Sequence, residues 1–140
     1  MKLSARNQLK GTVDHVTEGA VSGVVSIKVA NDVIKADITM EAIKDLGLKA
    51  GQEATAIIKA SHVLVADGDQ RLVGLSARNQ LAGTVEKVIK GAVNGHVRLK
   101  LADGSILTAS ITNEAIEELG LEEGVPALGI FKSTDVIVGV

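Results

Sequence analysis

Four kinds of anion-holding residue recur in this chain at matched positions. Ser4-Ala5-Arg6-Asn7 returns unchanged as Ser76-Ala77-Arg78-Asn79. Thr39 and Thr112 each stand two residues before the same Glu-Ala-Ile, at Glu41 and at Glu114. Lys59-Ala60-Ser61 has Lys132-Ser133-Thr134 as its counterpart. Together they offer guanidinium, ammonium, hydroxyl and helix-start amide donors. That set suits a small oxyanion, with Arg and Lys balancing charge while hydroxyls and amides satisfy the oxygen lone pairs.

Each residue also has a plain structural reading. Arg6 taken alone fits an arginine bonded to carbonyls at a sheet corner, and Thr39 an ordinary N-cap. Lys59 alone fits an edge lysine laid along apolar surface, and Gly19-Ala20-Val21 a tight turn. Joint recurrence in both copies favours the ligand reading, although a recent duplication would also preserve such residues.

Catalysis has little support. No nucleophile stands in a recognisable motif, and no glycine-rich phosphate loop is present. His15, His62 and His96 face Lys87, Asp135 and Val24 in the other copy, so no histidine is repeated. A duplicated metal site would keep its ligands, and no metal held directly by side chains is expected. Glu117-Glu118 and Glu122-Glu123 read as solvated faces. The expected protein is not an enzyme.

The elements that must position these groups follow from the repeat. Residues 4–37 and 76–109 share 18 identities in 34 positions, and a one-residue insertion then shifts the offset from 72 to 73. This divides the chain into modules 1–67 and 68–140, joined by a short polar link around Asp67–Gln70. In each copy Leu9–Thr17 reads as a strand. Val21–Val29 alternates as a half-buried strand does. Val33–Ile38 follows a turn at Asn31-Asp32, where the second copy has the hairpin signal Asp103-Gly104. Thr39 then caps a short helix over Met40–Leu46, closed by Gly47. Strands over Ala54–Lys59 and His62–Ala66 complete the unit. The expected fold is therefore mainly β, two tandem OB-like five-stranded Greek-key barrels, each with one short α-helix.

Composition agrees. Hydrophobic residues make up 46% of the 140, almost all of them Val, Ile, Leu and Ala, and the β-branched types among them suit a pleated surface. The formal net charge is −2 and Phe131 is the one aromatic residue, so the stacking platform and basic groove of a single-strand nucleic-acid binder are missing. There are no cysteines. The first residues lack the apolar core of a signal peptide, and no apolar run approaches the roughly 20 residues of a membrane span. A cytoplasmic protein with no membrane and no nucleic-acid partner is expected.

The order SARNQLxGTV, GAVxGxV, TxEAIxxLGL, then Lys-Ala-Ser or Lys-Ser-Thr before an apolar strand resembles the Mop module, the repeated unit of the TOBE class. The likeness covers essentially all of both copies. A chain of two such modules is similar to the tandem, or di-Mop, molbindins. The resemblance implies molybdate or tungstate as bound ligand with no organic cofactor, and a homotrimer forming a six-module ring with sites largely between subunits. One class of site would use Ser4, Ala5, Arg6, Lys59, Ala60 and Ser61. Its equivalent would use Ser76, Ala77, Arg78, Lys132, Ser133 and Thr134, and Thr39 and Thr112 would contribute hydroxyls. Related sites carry a further hydroxyl where this chain has Ala42 and Ala115. A second class would lie at the GAVxG turns, at Ala20, Val21 and Ser22 and at Ala92, Val93 and Asn94. The implied role is intracellular storage, buffering or homeostasis of oxyanion. The alternative is an oxyanion-responsive sensor or adaptor that docks on a transport or regulatory partner.

Overall fold

The computed structural model describes residues 2–140. The first repeat forms β1 (Asn7–Thr17), β2 (Ser22–Val29), β3 (Asp32–Thr39), α1 (Met40–Asp45), β4 (Glu53–Ile58), a 3₁₀ turn over Ala60–His62 and β5 (Leu64–Asp67). The second repeats the series as β6 (Asn79–Lys90), β7 (Asn94–Lys100), β8 (Ile106–Thr112), α2 (Asn113–Glu118), β9 (Pro126–Phe131), a 3₁₀ turn over Ser133–Asp135 and β10 (Ile137–Gly139). The expected content of five short strands and one helix per copy is present.

Local chemistry explains the boundaries. The Thr39 and Thr112 hydroxyls accept from the Ala42 and Ala115 amides at 3.1 Å, so each helix opens on the expected cap. Gly47 and Gly120 end the helices at φ +60° and +63°, a conformation that β-carbons resist. The insertion separating the copies falls in the β2–β3 hairpin and its counterpart. In the first copy Val29 pairs with Asp32, leaving Ala30-Asn31 as a two-residue turn, one position earlier than the pattern suggested. In the second copy Lys100 pairs with Ile106 around a five-residue loop, with Gly104 at φ +88°.

Ala30 has φ +52° and Asn31 φ +64°, the primed-turn geometry that favours Asn-Gly or Gly-Gly. Left-handed backbone costs an L-residue about 1–2 kcal/mol, more than the roughly 0.5–1 kcal/mol that glycine's unfolded-state entropy takes back. Ala30→Gly should therefore stabilise the protein by about 0.5–1 kcal/mol, read as a rise in the urea midpoint.

The sheets do not follow the repeats. One has the order β10-β4-β1-β2-β3 and the other β5-β9-β6-β7-β8. The fifth strand of each repeat is thus hydrogen-bonded in the other's sheet: Ile137, Val138 and Gly139 pair with Ile57, Ala56 and Thr55, while Leu64–Asp67 pair with Ile130–Ala127. The folded sheets exchange strands across the boundary expected at 67/68. Each outer strand, β3 or β8, curls round toward the incoming fifth strand. One apolar cluster, including Ile27, Ile34, Ile58, Leu99, Leu107 and Phe131, runs through both halves.

Two buried asparagines lock the exchange. Asn7, 0% exposed, accepts from the Thr108 amide at 2.7 Å and donates to the Thr108 carbonyl at 2.8 Å. Asn79, 1% exposed, makes the same pair of bonds to Lys35 at 2.8 and 2.9 Å. A carboxamide carries both an N–H donor and an oxygen acceptor, so each asparagine satisfies the amide and carbonyl of one residue of the other repeat's outer strand.

Candidate oxyanion-binding site

Strand register brings the two cations of each repeat to one end of the sheet. The last β1–β4 pair is Asn7–Ile58, and one step further out Arg6 stands across from Lys59. Asn79–Phe131 places Arg78 across from Lys132 in the same way. All four side chains belong to exposed residues. Short local bonds shape the segments that carry them. Arg6 Nε donates to the Ser4 carbonyl at 3.2 Å and Gln8 Nε2 to that of Ala5 at 3.3 Å. In the second copy Arg71 donates to the Arg78 carbonyl at 3.2 Å, and Gln80 clamps both backbone groups of Leu72. Ser4 and Ser76 are exposed, Ala5 is half-buried and Ala77 is buried.

Lys59 and Lys132 precede the 3₁₀ turns that hold Ala60-Ser61 and Ser133-Thr134. Because the fifth strands cross over, the grouping of these turns is also exchanged. The Ser133–Asp135 turn packs on β3 and the Ala60–His62 turn on β8. Thr134 of the second repeat consequently shares a groove of about 340 Å³ with Thr39 and Ala42 of the first. Capping occupies an acceptor position of the threonine hydroxyl and leaves its proton free to donate into that groove. Asp37 lines the same groove, so a carboxylate stands where donors alone were expected. Its counterpart in the second repeat is Ser110.

Arg6 lies elsewhere. It lines a pocket with His96, Arg98, Ile106 and Thr108, and Thr112 is four residues beyond Thr108, about 13 Å along an extended strand. Neither capped threonine lines the pocket that holds Arg6, and Arg6 does not line the groove of Thr39.

The GAVxG turns are fully outside. Ala20, Val21 and Ser22, and Ala92, Val93 and Asn94, are all exposed, Val21 at 76% and Val93 at 71%. Their backbones are fixed by Met40 N–H donating to the Val21 carbonyl and Asn113 N–H to that of Val93, both at 2.8 Å. The copies differ underneath, where Asn113 donates through Nδ2 to the Gly91 carbonyl at 2.9 Å and Met40 offers nothing comparable.

Asn7 and Asn79 were missed as functional positions, although their signal was present as the last letters of an identical polar motif. Among the described residues the ion pairs are Lys28–Asp14, His62–Asp135 and Lys90–Glu117, so none of the candidate cations is neutralised by a carboxylate.

Comparison with known proteins matches the TOBE domain family model twice, at residues 3–65 and 75–138. Molybdenum transport protein ModE of Herbaspirillum seropedicae is 42% identical over the whole of this chain and 52% of its own length. Molybdenum-pterin-binding protein MopA of Rhodobacter capsulatus is 38% identical over the whole chain and 53% of its own length. The chain spans about half the length of these curated relatives. A solved structure described as the cytoplasmic molybdate-binding protein ModG, with molybdate bound, superposes with a TM-score of 0.94 and 44% identity, covering 100% of this chain and 99% of that one.

Proposed function

This chain belongs to the TOBE domain family, as two tandem copies, and from that premise we propose that it binds molybdate, and tungstate with it, for storage and buffering in the cytoplasm, with no reaction catalysed. The observation that carries this is the whole-chain likeness to a cytoplasmic protein solved with molybdate bound. The donors fit the ligand. Molybdate at neutral pH is a dianion with four acceptor oxygens and no proton to give, so a site built of N–H and O–H donors favours it over hydrogen phosphate, whose proton finds no acceptor. Cavity size must separate it from sulfate.

Arg6 and the capped Thr39 line different pockets of one chain, which is compatible with sites completed between chains, and the proposed assembly is a homotrimer. Arg6 or Arg78 with its neighbouring lysine would come from one chain, and the capped threonine from another. An anion bound only by the assembled state stabilises that assembly. The exposed valines at the GAVxG turns suit burial in the same assembly, with the second class of site at Ala20–Ser22 and Ala92–Asn94.

Native mass spectrometry with molybdate, tungstate, sulfate and phosphate tests this directly. The expected result is a trimer taking up several molybdates or tungstates and no sulfate. A monomer indifferent to all four would sink the reading. Replacing Arg6 and Arg78 with alanine should weaken molybdate uptake about tenfold or more while leaving the circular dichroism unchanged, as the loss of a charge-assisted bond implies.

Asp37 makes the two halves unequal. Asp37→Ser removes a like charge from the Thr39 groove and should tighten molybdate binding there several-fold. It should also increase discrimination against hydrogen phosphate, because the acceptor for its proton disappears. Competition titrations with phosphate measure both effects.

The sensor or adaptor reading draws on a separate observation, the match to about half of a protein named for molybdenum transport. A pull-down with and without molybdate distinguishes it, since a partner retained only by the loaded protein is its signature.

A further inference from the structure

The outer face of the second repeat carries cations that the first repeat lacks. Side chains alternate along β7, with Val97 and Leu99 buried and His96 and Arg98 facing out. Register sets Ile89 beside His96 and Lys87 beside Arg98 on one flank, and Ser110 and Thr108 beside them on the other. Arg6, arriving from the first repeat, closes one side. The result is a pocket of about 330 Å³ lined by Arg6, Ile89, His96, Arg98, Ile106 and Thr108. No carboxylate lines it, and among the described residues no acidic group pairs with Arg6, His96 or Arg98.

The same place in the first repeat is built differently. Val24 stands for His96, Ser26 for Arg98, and Asp37 for Ser110, on strands with the same register. Three changes out of the duplicated pattern therefore add an imidazole, add a guanidinium and delete a carboxylate. Lys35 in place of Thr108 runs the other way, and it leaves the first repeat with one lysine beside one aspartate. Two guanidiniums on one pocket without a counter-charge repel one another, and a tetrahedral dianion relieves that by accepting from both, with the imidazole N–H and the Thr108 hydroxyl as further donors. The pocket is within the roughly 300–1,000 Å³ range of small-molecule sites, and Ile89 and Ile106 give it two apolar sides.

We propose that Arg6, His96, Arg98 and Thr108 form a binding site, present once per chain, for a phosphate-class dianion, either bare or carried on a small organic group that lies against Ile89 and Ile106. This site shares Arg6 with the proposed Lys59 site, but its other residues, His96, Arg98 and Thr108, belong to none of the sites described above, and it does not rest on the molybdate reading.

The test leaves Arg6 untouched, since it is also a candidate at the other site. His96→Val with Arg98→Ser installs the first repeat's residues on an outward face, where the core is unaffected. Wild-type and variant full-length proteins are titrated calorimetrically with inorganic phosphate, phenyl phosphate and molybdate, with thermal melts confirming an intact fold. The expected result is binding of phosphate or phenyl phosphate, one per chain, weakened at least tenfold in the variant while uptake of molybdate at the remaining sites persists. Equal affinity for the two phosphates marks a bare anion as the ligand, and tighter phenyl phosphate marks an organic ester. Wild-type protein that binds neither phosphate, or a variant that binds both as wild type does, overturns the proposal. Loss of molybdate uptake alone, in wild type, would instead remove the function proposed above and leave this site standing.

Discussion

Asn7→Ala should destabilise the protein by about 3 kcal/mol, and Asn79→Ala by a similar amount. Each substitution removes two part-buried hydrogen bonds at once and strands both backbone groups of one residue, Thr108 or Lys35, at the seam between the halves. A buried donor or acceptor left unsatisfied costs about 1–3 kcal/mol, so two of them outweigh any gain from the smaller side chain. With a urea slope of roughly 2 kcal/mol/M for a chain of this size, the midpoint should fall by about 1.5 M. The two sites lie in different halves and share no partner, so the double variant should show close to the sum. Asn7→Asp is the sharper companion. It keeps an acceptor for the Thr108 amide but sets a carboxylate oxygen against the Thr108 carbonyl, so it should be no better than alanine at neutral pH. That contact favours the protonated carboxyl in the folded state, which raises its folded pKa, so stability should return as pH falls. Ser4→Ala, three residues away and exposed, should stay within about 0.5 kcal/mol of wild type. Equal effects at Ser4 and Asn7 would mean that the asparagine bonds do not hold the halves together.

Much of this architecture was readable because it is local. The period-2 pattern of Val25, Ile27 and Val29 fixes a strand by itself, and Thr39 followed by Glu41 and closed by Gly47 fixes a helix. Asp103-Gly104 marks a hairpin by turn chemistry alone, and the second repeat turns there, whereas the one-residue insertion, read as following residue 37, falls inside that hairpin. The strand exchange was not readable. Leu64-Val65-Ala66-Asp67 and Ile137-Val138-Gly139 are equivalent segments facing equivalent edges, β4 and β9, so the amino-acid pattern is satisfied whichever sheet each joins. What separates the alternatives is the path of the 3₁₀ turns, a three-dimensional property. The burial of Asn7 was hidden for a similar reason. In Ser-Ala-Arg-Asn every neighbour but alanine is polar, and the partner that buries it is 101 residues away. The cations were identified by recurrence, and the register of β1 with β4 and β6 with β9 sets them in pairs. Which threonine each pair would work with depends on the crossing, and so on the part that only the fold carries.

Ending the chain at Asp135 should damage the opposite half of the molecule. The truncation removes β10, whose hydrogen bonds go to Thr55, Ala56 and Ile57 of the first repeat. It also removes Val136 and Val138, both buried. Burial of a valine contributes about 1.5–3 kcal/mol, so the two side chains alone put the loss near 4 kcal/mol, before the ladder bonds are counted. Amide hydrogen exchange locates the damage. Protection should collapse in β4, some 80 residues from the cut, while β9, the nearest strand in sequence, keeps its partners β5 and β6. The reverse pattern, with β9 losing protection and β4 keeping it, would mean that each repeat closes on its own fifth strand. The bared edge of β4 has a further consequence. An unpaired strand edge offers a row of free amides and carbonyls to any similar strand, and the β5 segment of another copy, Leu64–Asp67, is chemically the nearest substitute for β10. Truncated chains should therefore associate in a concentration-dependent way. Adding a peptide spanning Val136–Val140 should suppress that association by refilling the edge, whereas a scrambled peptide should not. The exchanged strand thereby serves two ends at once, completing the sheet that holds Arg6 and Lys59 in register and denying its edge to neighbours.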